Sequence, residues 1–369
     1  MNIKRCLIRT MAGLAATLPL FGLAHAGGLE ANGYDWDQLF DPAPYSAKTS
    51  ATYVHIDKNV TNAGVRPGTV STTPARTHYN TGFKADILDM ASCLVTVQNP
   101  FGSDTARTNA YAALTAQAVS ESIRSTDTGL TCAVGVQAGP GLISVIAGVS
   151  AQNLDYQAAI PLTLTTSTPI SINGWSTGWR AGLAYEIPEY ALRVSAIYNA
   201  PVHYTLNGTA YGGAASADVT TPQSFELRGQ TGIAPGWLAL GSVKWMDWST
   251  LQRLTVTTIG APLVSTFDYR DGWTVTAGVG HAVNEQLSVV GTLSWDRGTS
   301  TPGANGVLTA GTQTDRYGVA LGGSYNLSPN VQLTGGVSAS LLGAGSNARG
   351  ERWDTGYVYA VSGGIKASF

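Results

Sequence analysis

The chain has 369 residues, 21 Lys and Arg against 23 Asp and Glu, and a formal net charge of -2. Near-neutrality gives no electrostatic basis for a nucleic-acid partner, and none is expected. Only 12% of residues are charged and 44 are glycine; soluble domains carry about 25% charge, so the deficit suits a surface that faces lipid rather than water.

Residues 1–26 read as a secretory signal. Lys4, Arg5 and Arg9 precede an apolar run from Met11 to Leu23, and Ala24-His25-Ala26 supplies a small-x-small cleavage site. The mature chain is expected to begin at Gly27. Cys6 lies in the charged leader and no Cys stands at the cleavage point, which argues against a lipoprotein. No later stretch approaches the ~20 continuous apolar residues of a membrane-spanning helix. The two remaining cysteines, Cys93 and Cys132, are expected to form a disulfide in an oxidising compartment, with free core thiols as the alternative.

Residues 27–48 have no sustained period and read as a compact irregular segment before the first strand. From 49 to 369 the pattern predicts fourteen strands, at 49–57, 77–88, 92–99, 129–138, 142–153, 175–186, 191–200, 221–233, 237–247, 265–282, 286–295, 314–327, 331–342 and 354–369. Tight turns such as Gly139-Pro140-Gly141 and Ser328-Pro329-Asn330 alternate with longer polar connections, among them 154–174 and 201–220. An even number of strands with short and long connections in strict alternation describes an all-β, antiparallel transmembrane barrel, since hydrocarbon cannot satisfy an open sheet edge. The Ala-rich insertion Ser103–Arg124 reads as a short amphipathic helix in an outer loop.

Alternation separates an outer apolar face from an inner one. Trp175, Trp179, Leu183 and Tyr185 share one phase, as do Tyr317, Val319, Leu321, Tyr325 and Leu327. The stretch 237–247 departs, because Leu238, Leu240 and Met246 fall on the inner face beside Lys244. These apolar residues suggest a packed or greasy interior, in which Leu238, Leu240 and Met246 either contact a hydrophobic ligand or merely fill space against a plug. The charged residues with inward phase are Arg180, Glu226, Arg228, Lys244, Arg316 and Lys366. They are either contacts for a ligand head group, Lys244 foremost with Arg180 and Arg228, or rungs of an ion-pair ladder across the lumen.

The chain ends GYVYAVSGGIKASF, with Tyr357, Tyr359, Val361, Ile365 and Phe369 on one face. This resembles the final strand of bacterial outer-membrane barrels, whose terminal Phe engages the barrel assembly machinery. The segment Thr221–Gln252, with Pro222 and Trp245-Met246-Asp247-Trp248-Ser249, and the segment Asn173–Pro188 resemble FadL-type long-chain fatty acid transporters. The resemblance implies a fourteen-stranded barrel and an amino-terminal hatch in its lumen. It further implies an apolar groove among outer loops, an inner pocket, and passive lateral exit of a long-chain fatty acid or other hydrophobic molecule through a kinked strand. Asp41-Pro42-Ala43-Pro44 is the nearest match to the family's Asn-Pro-Ala hatch motif, and Phe40, Pro42, Pro44 and Tyr45 either gate the channel or simply anchor the hatch. The expected setting is the outer membrane of a Gram-negative bacterium, as a monomer in contact with outer-membrane lipid.

Enzymatic alternatives have weaker support. Gly174-Trp175-Ser176-Thr177-Gly178 matches G-x-S-x-G but starts a predicted strand instead of forming a strand-to-helix elbow. His55, His78, His203 and His281 show no metal spacing, and Gly343-Ala344-Gly345 precedes no helix. No catalysis, metal or cofactor is expected. An outer-membrane lipid hydrolase and a closed structural barrel remain the alternatives to transport.

Overall fold

The computed structural model describes residues 27–62 and 71–369; the expected signal peptide lies outside the described residues. Fourteen strands form the wall: β1 (Tyr45–Asp57), β2 (Arg76–Leu88), β3 (Ala91–Gln98), β4 (Ser120–Ala138), β5 (Gly141–Pro161), β6 (Ser167–Ile187) and β7 (Leu192–Asn199), then β8 (Ser224–Ala234), β9 (Trp237–Met246), β10 (Gly272–Ala282), β11 (Leu287–Asp296), β12 (Arg316–Ser328), β13 (Val331–Leu342) and β14 (Gly356–Ser368). Each pairs antiparallel with its successor. β1 then closes on β14, with Ser46 opposite Ser368 and Asp57 opposite Tyr357. The ring leaves no free edge, as hydrocarbon requires. All fourteen predicted strands are present.

Their ends differ from the prediction in an instructive way. β4, β5 and β6 run 19, 21 and 21 residues, about twice what a bilayer needs. Their outer halves pair well beyond the membrane, and a further hairpin, Val202–Ala210 with Gly213–Thr221, docks on Ile170–Asn173. Thus 154–174 and 201–220, expected as polar connections, are mostly strand. Within the membrane zone the apolar side chains point out: Val145, Val149, Trp175, Trp179 and Leu183 are exposed. Above it the phase inverts, and Leu154, Tyr156, Ile170 and Ile172 are buried inward with Tyr204 and Leu206 of the hairpin. Outside the bilayer the outer face meets water, so hydrophobic burial favours apolar residues on the inner face instead.

The insertion after β3 holds only one helix, α1 (Asn109–Thr115), capped by Thr108 whose Oγ1 accepts from Tyr111 N. The remainder of the expected helix is strand, Gly102–Arg107 and the start of β4. At the opposite end, β4 and β5 turn through Gly139, whose φ of 60° suits glycine. Cys93 and Cys132 are cross-strand partners on β3 and β4, bonded with an S–S distance of 2.02 Å. Their neighbours in phase, Val95, Leu130 and Val134, are exposed, so the bridge lies on the lipid face.

Leu321 sits mid-strand on β12, 65% exposed. Leu321→Arg should destabilise the barrel by about 2–4 kcal/mol if this is the bilayer midplane, read by urea titration in lipid vesicles. A loss under about 1 kcal/mol would place the position near the membrane surface.

Candidate functional site

Residues 27–44 lie inside the ring as a short hatch built around a single 3-10 turn, Asp37–Phe40. Trp36 and Leu39 pack against Leu94, Ala133, Ile146, Ala184 and Ile197 from five successive strands, β3 to β7. The charged residues of the hatch reach the rest of the wall. Asp35 pairs with Lys48 of β1 at 3.1 Å and accepts from Asn80 of β2 at 2.9 Å. Asp37 pairs with Arg228 of β8 at 3.0 Å, Asp41 with Lys366 of β14 at 2.7 Å, and Glu30 with Lys244 of β9. Lys84 donates to the carbonyls of Asp41 and Ala43 at 2.9 and 2.7 Å. Burying these charges is tolerable because each meets an opposite charge or a carbonyl at hydrogen-bond distance.

The wall is broken beside the hatch. Pairing of β2 with β3 ends at Asn80 opposite Gln98, and the next pair is Thr72 with Ala106, so 73–79 and 99–105 face each other unladdered. On the other side, three residues, Asn99-Pro100-Phe101, stand opposite two, Ser125-Thr126, a one-residue bulge. Pro100 forces it, since proline donates nothing to a ladder and is confined to edges and bulges.

The freed backbone groups find other partners. Asn99 accepts from Tyr79 N at 3.0 Å through Oδ1 and donates from Nδ2 to Ser125 O at 3.0 Å. Ser125 Oγ accepts from Phe101 N at 2.8 Å and donates to Phe101 O at 3.0 Å. The hatch supplies the rest: Ala31 N and Gly33 N donate to Pro100 O, and Gly102 N donates to Leu29 O. Phe101, 3% exposed, closes the break from within. It joins an edge-to-face aromatic series from Tyr34 through Trp248 to Tyr269, with ring centroids 5.9–6.1 Å apart.

Two cavities lead to this place. A vestibule of ≈ 710 Å³ opens among the outer loops, with an apolar side at Ile123, Tyr156, Ile160, Ile170 and Phe267 and a charged side that includes Lys58, Arg76 and Arg316. Below it lies a narrow apolar pocket of ≈ 30 Å³ bounded by Phe101, Leu206, Trp248, Leu251 and Leu254. Leu29, Ile123, Tyr156 and Phe267 line both, so the two spaces share a wall. Outer loops are tied across the vestibule by Glu351, which accepts from Tyr111 at 3.0 Å, Gln117 at 2.7 Å and Asn347 at 2.6 Å. Lys58, stacked over Trp353 and donating to Thr312 O, is held by burial down to about 7, against the pull of Glu351.

The residues singled out from sequence fall at the hatch interface more than at the cavities. Lys244, 3% exposed, is engaged by Glu30 and lines neither cavity. Arg180 pairs with Asp127 at 3.3 Å and lies over Tyr34; Arg228 pairs with Glu226 at 2.5 Å as well as Asp37 and lies over Trp36. Each of the three is ion-paired, Lys244 and Arg228 with hatch carboxylates and Arg180 with Asp127 of the wall, and Arg180 and Arg228 cover the hatch rings Tyr34 and Trp36. Leu238, Leu240 and Met246 are buried inward, and Met246 packs with Trp36 and Trp248. Phe40 is half-buried under the Arg193 guanidinium, whereas Pro42, Pro44 and Tyr45 are exposed at the rim where β1 starts. Ser176 sits mid-strand opposite Gln152, not at an elbow.

Sequence reasoning missed Phe101, Ser125 and the break itself. The visible signal was Asn99-Pro100, read as the end of a strand. Lys244→Met, which strands Glu30 in the lumen, should cost about 3–5 kcal/mol in chemical denaturation followed by tryptophan fluorescence. The double change Lys244→Met with Glu30→Gln should recover most of it, and equal losses in both would refute the pairing.

A family model described as outer membrane protein transport protein (OMPP1/FadL/TodX) matches residues 94–349. Among curated relatives, the 47 kDa outer membrane protein of Pasteurella multocida is 25% identical over 210 residues, 50% of this chain and 48% of that protein. The long-chain fatty acid transport protein of Salmonella typhi is 24% identical over 214 residues, 52% and 49% respectively. The chain thus spans about half the length of the curated relatives it matches. In fold it is similar to a Pseudomonas aeruginosa FadL homologue, with TM-score 0.73 and 18% identity over 95% of this chain and 97% of that one. The Pseudomonas putida toluene transporter TodX follows, with TM-score 0.64 and 13% identity over 93% and 96%. The closed fourteen-stranded ring, its lumenal hatch and the match over 94–349 make this chain a member of the OMPP1/FadL/TodX family of outer-membrane proteins.

Proposed function

We propose that the protein admits hydrophobic molecules, long-chain fatty acids or compounds of similar apolarity, across the outer membrane by passive diffusion. A molecule enters the vestibule, passes the apolar pocket at Trp248 and Phe101, and leaves sideways into lipid between β2 and the broken strand. The observation that carries this reading is that both cavities reach the unladdered stretch 73–79/99–105, one at Phe101 and the other at Thr73, Arg76 and 102–105. The hatch supports sideways over straight-through passage, because its ion pairs to β1, β8, β9 and β14 occupy the lumen below. The relatives named as a long-chain fatty acid transport protein and a toluene transporter fit a common requirement, an apolar path with few polar contacts. Gradient-driven passage requires no catalytic group. Phe369, 67% exposed at the membrane-facing end of the chain, fits a contact with the assembly machinery, and the closed ring with its lipid-facing side chains fits a monomer.

Deleting Pro100 together with Thr73 leaves two residues opposite two on the β4 side and six opposite six on the β2 side, and allows both ladders to close. Uptake of a radiolabelled fatty acid into vesicles carrying the variant should fall at least about tenfold, the barrel still folding, because the remaining route crosses a hydrogen-bonded wall. Unchanged uptake would show that substrate does not leave there.

A further inference from the structure

The hatch is tied down from its first described residue. Chain ends fray unless something fixes them, yet Gly28 N donates to Thr299 Oγ1 at 3.0 Å and Gly28 O accepts from Gln313 Nε2 at 2.6 Å. Gly27 O accepts from Glu30 N at 3.1 Å. Both glycines have positive φ, 66° and 58°. A Cβ on Gly27 would lie 2.5 Å from Thr299 Cγ2, and one on Gly28 would lie 2.2 Å from the Trp248 ring, so only glycine fits either place.

The remaining polar group of this start, the Gly27 N–H, donates to the carboxylate of Asp296, the last residue of β11. Asp296 is 5% exposed; Arg316 of β12 donates to its Oδ2 at 2.8 Å and Thr274 of β10 to its Oδ1 at 3.4 Å. Glu30, engaged by Lys244 of β9, lies near enough to repel it. Two buried carboxylates that face one another are stabilised by each further cation beside them. Gly27, Gly28 and Asp296 all line the vestibule, so the amino side of Gly27 opens on the entry route.

We propose that the leader is removed between Ala26 and Gly27 and that the α-ammonium so formed pairs with Asp296, seating the amino end of the hatch. Hydrolysis of that peptide bond consumes one water: its oxygen goes to the new Ala26 carboxylate, and the Gly27 amide becomes an ammonium. A neutral contact is thereby converted into a charge-assisted one, and no chain is left on the amino side of Gly27 to occupy the entry. The other hatch anchors are carboxylates at positions 30, 35, 37 and 41 that meet cations on the wall. Processing adds one of opposite polarity, a cation on the hatch and the acid on the wall.

The test uses protein purified from outer membranes in a non-ionic detergent, with heat-modifiable electrophoretic mobility as the folding control. Amino-terminal sequencing should begin at Gly27; any other start would overturn the cleavage and the anchor with it. Competitive acetylation across pH, read on the amino-terminal peptide by mass spectrometry, gives the titration midpoint of the α-amino group. That midpoint should lie at least about one unit above the ~7.7–8.0 of a free α-amino group. Because pairing raises it, the anchor is complete below pH ~8 and is lost as pH rises through the raised midpoint. Asp296→Asn should return the midpoint to the free value, and Asp296→Asn with Arg316→Gln, which strands no guanidinium, should do the same. One unit is about tenfold in the seating equilibrium, so Gly27 carbamylated in urea before refolding should let a protease cut the hatch about tenfold faster. A wild-type midpoint at the free value, a midpoint unmoved in both variants, or a carbamylated chain cut no faster would overturn the anchor.

Discussion

Everything in this molecule follows from the inability of hydrocarbon to hydrogen-bond a peptide group. A wall of strands meets that constraint by closing on itself, here through β1 and β14. An aperture in such a wall must find substitutes for every ladder bond it forgoes. The chain does so with Asn99 and Ser125, whose side chains mimic peptide groups, and with the hatch, whose backbone reaches Pro100 and Gly102. The aperture and the hatch are therefore one structure: removing residues 29–33 would leave backbone groups of the broken strand facing an apolar pocket.

The interior solves a second problem, that of charge. Hatch carboxylates at positions 30, 35, 37 and 41 meet cations on four strands, so the segment is fixed by electrostatics as well as by Trp36 and Leu39. Such pairs are weak sources of net stability, because desolvation offsets their attraction. Their value lies in register, since a displaced hatch would leave several buried charges unmatched at once.

Much of this was legible in the sequence. Period-two alternation and turn residues gave every strand of the wall, and the phase of Lys244, Arg180 and Arg228 placed them inward, where they are. The outer halves of β4 to β6 were not legible, because their apolar residues change faces where the bilayer ends. Leu154 and Ile170 are out of phase with Val149 and Trp175, and a pattern that reverses mid-strand looks like no pattern. The partner of Lys244 was also hidden, since Glu30 lies 214 positions away in a segment without periodicity. Nor does alternation reveal a bulge: Asn99-Pro100 stops a strand as readily as it kinks one.

The Cys93–Cys132 bridge has a mechanical consequence. It joins β3 to β4 on the lipid side, about 20 Å along the strand from Pro100. One jamb of the doorway is thereby riveted to the rest of the cylinder, while the other, the outer end of β2, is held by its pairing with β1 and by the single bond from Tyr79 N to Asn99 across the break. Any widening is borne by that second jamb, and because the rivet is immersed in acyl chains, thiols dissolved in water have little access to undo it.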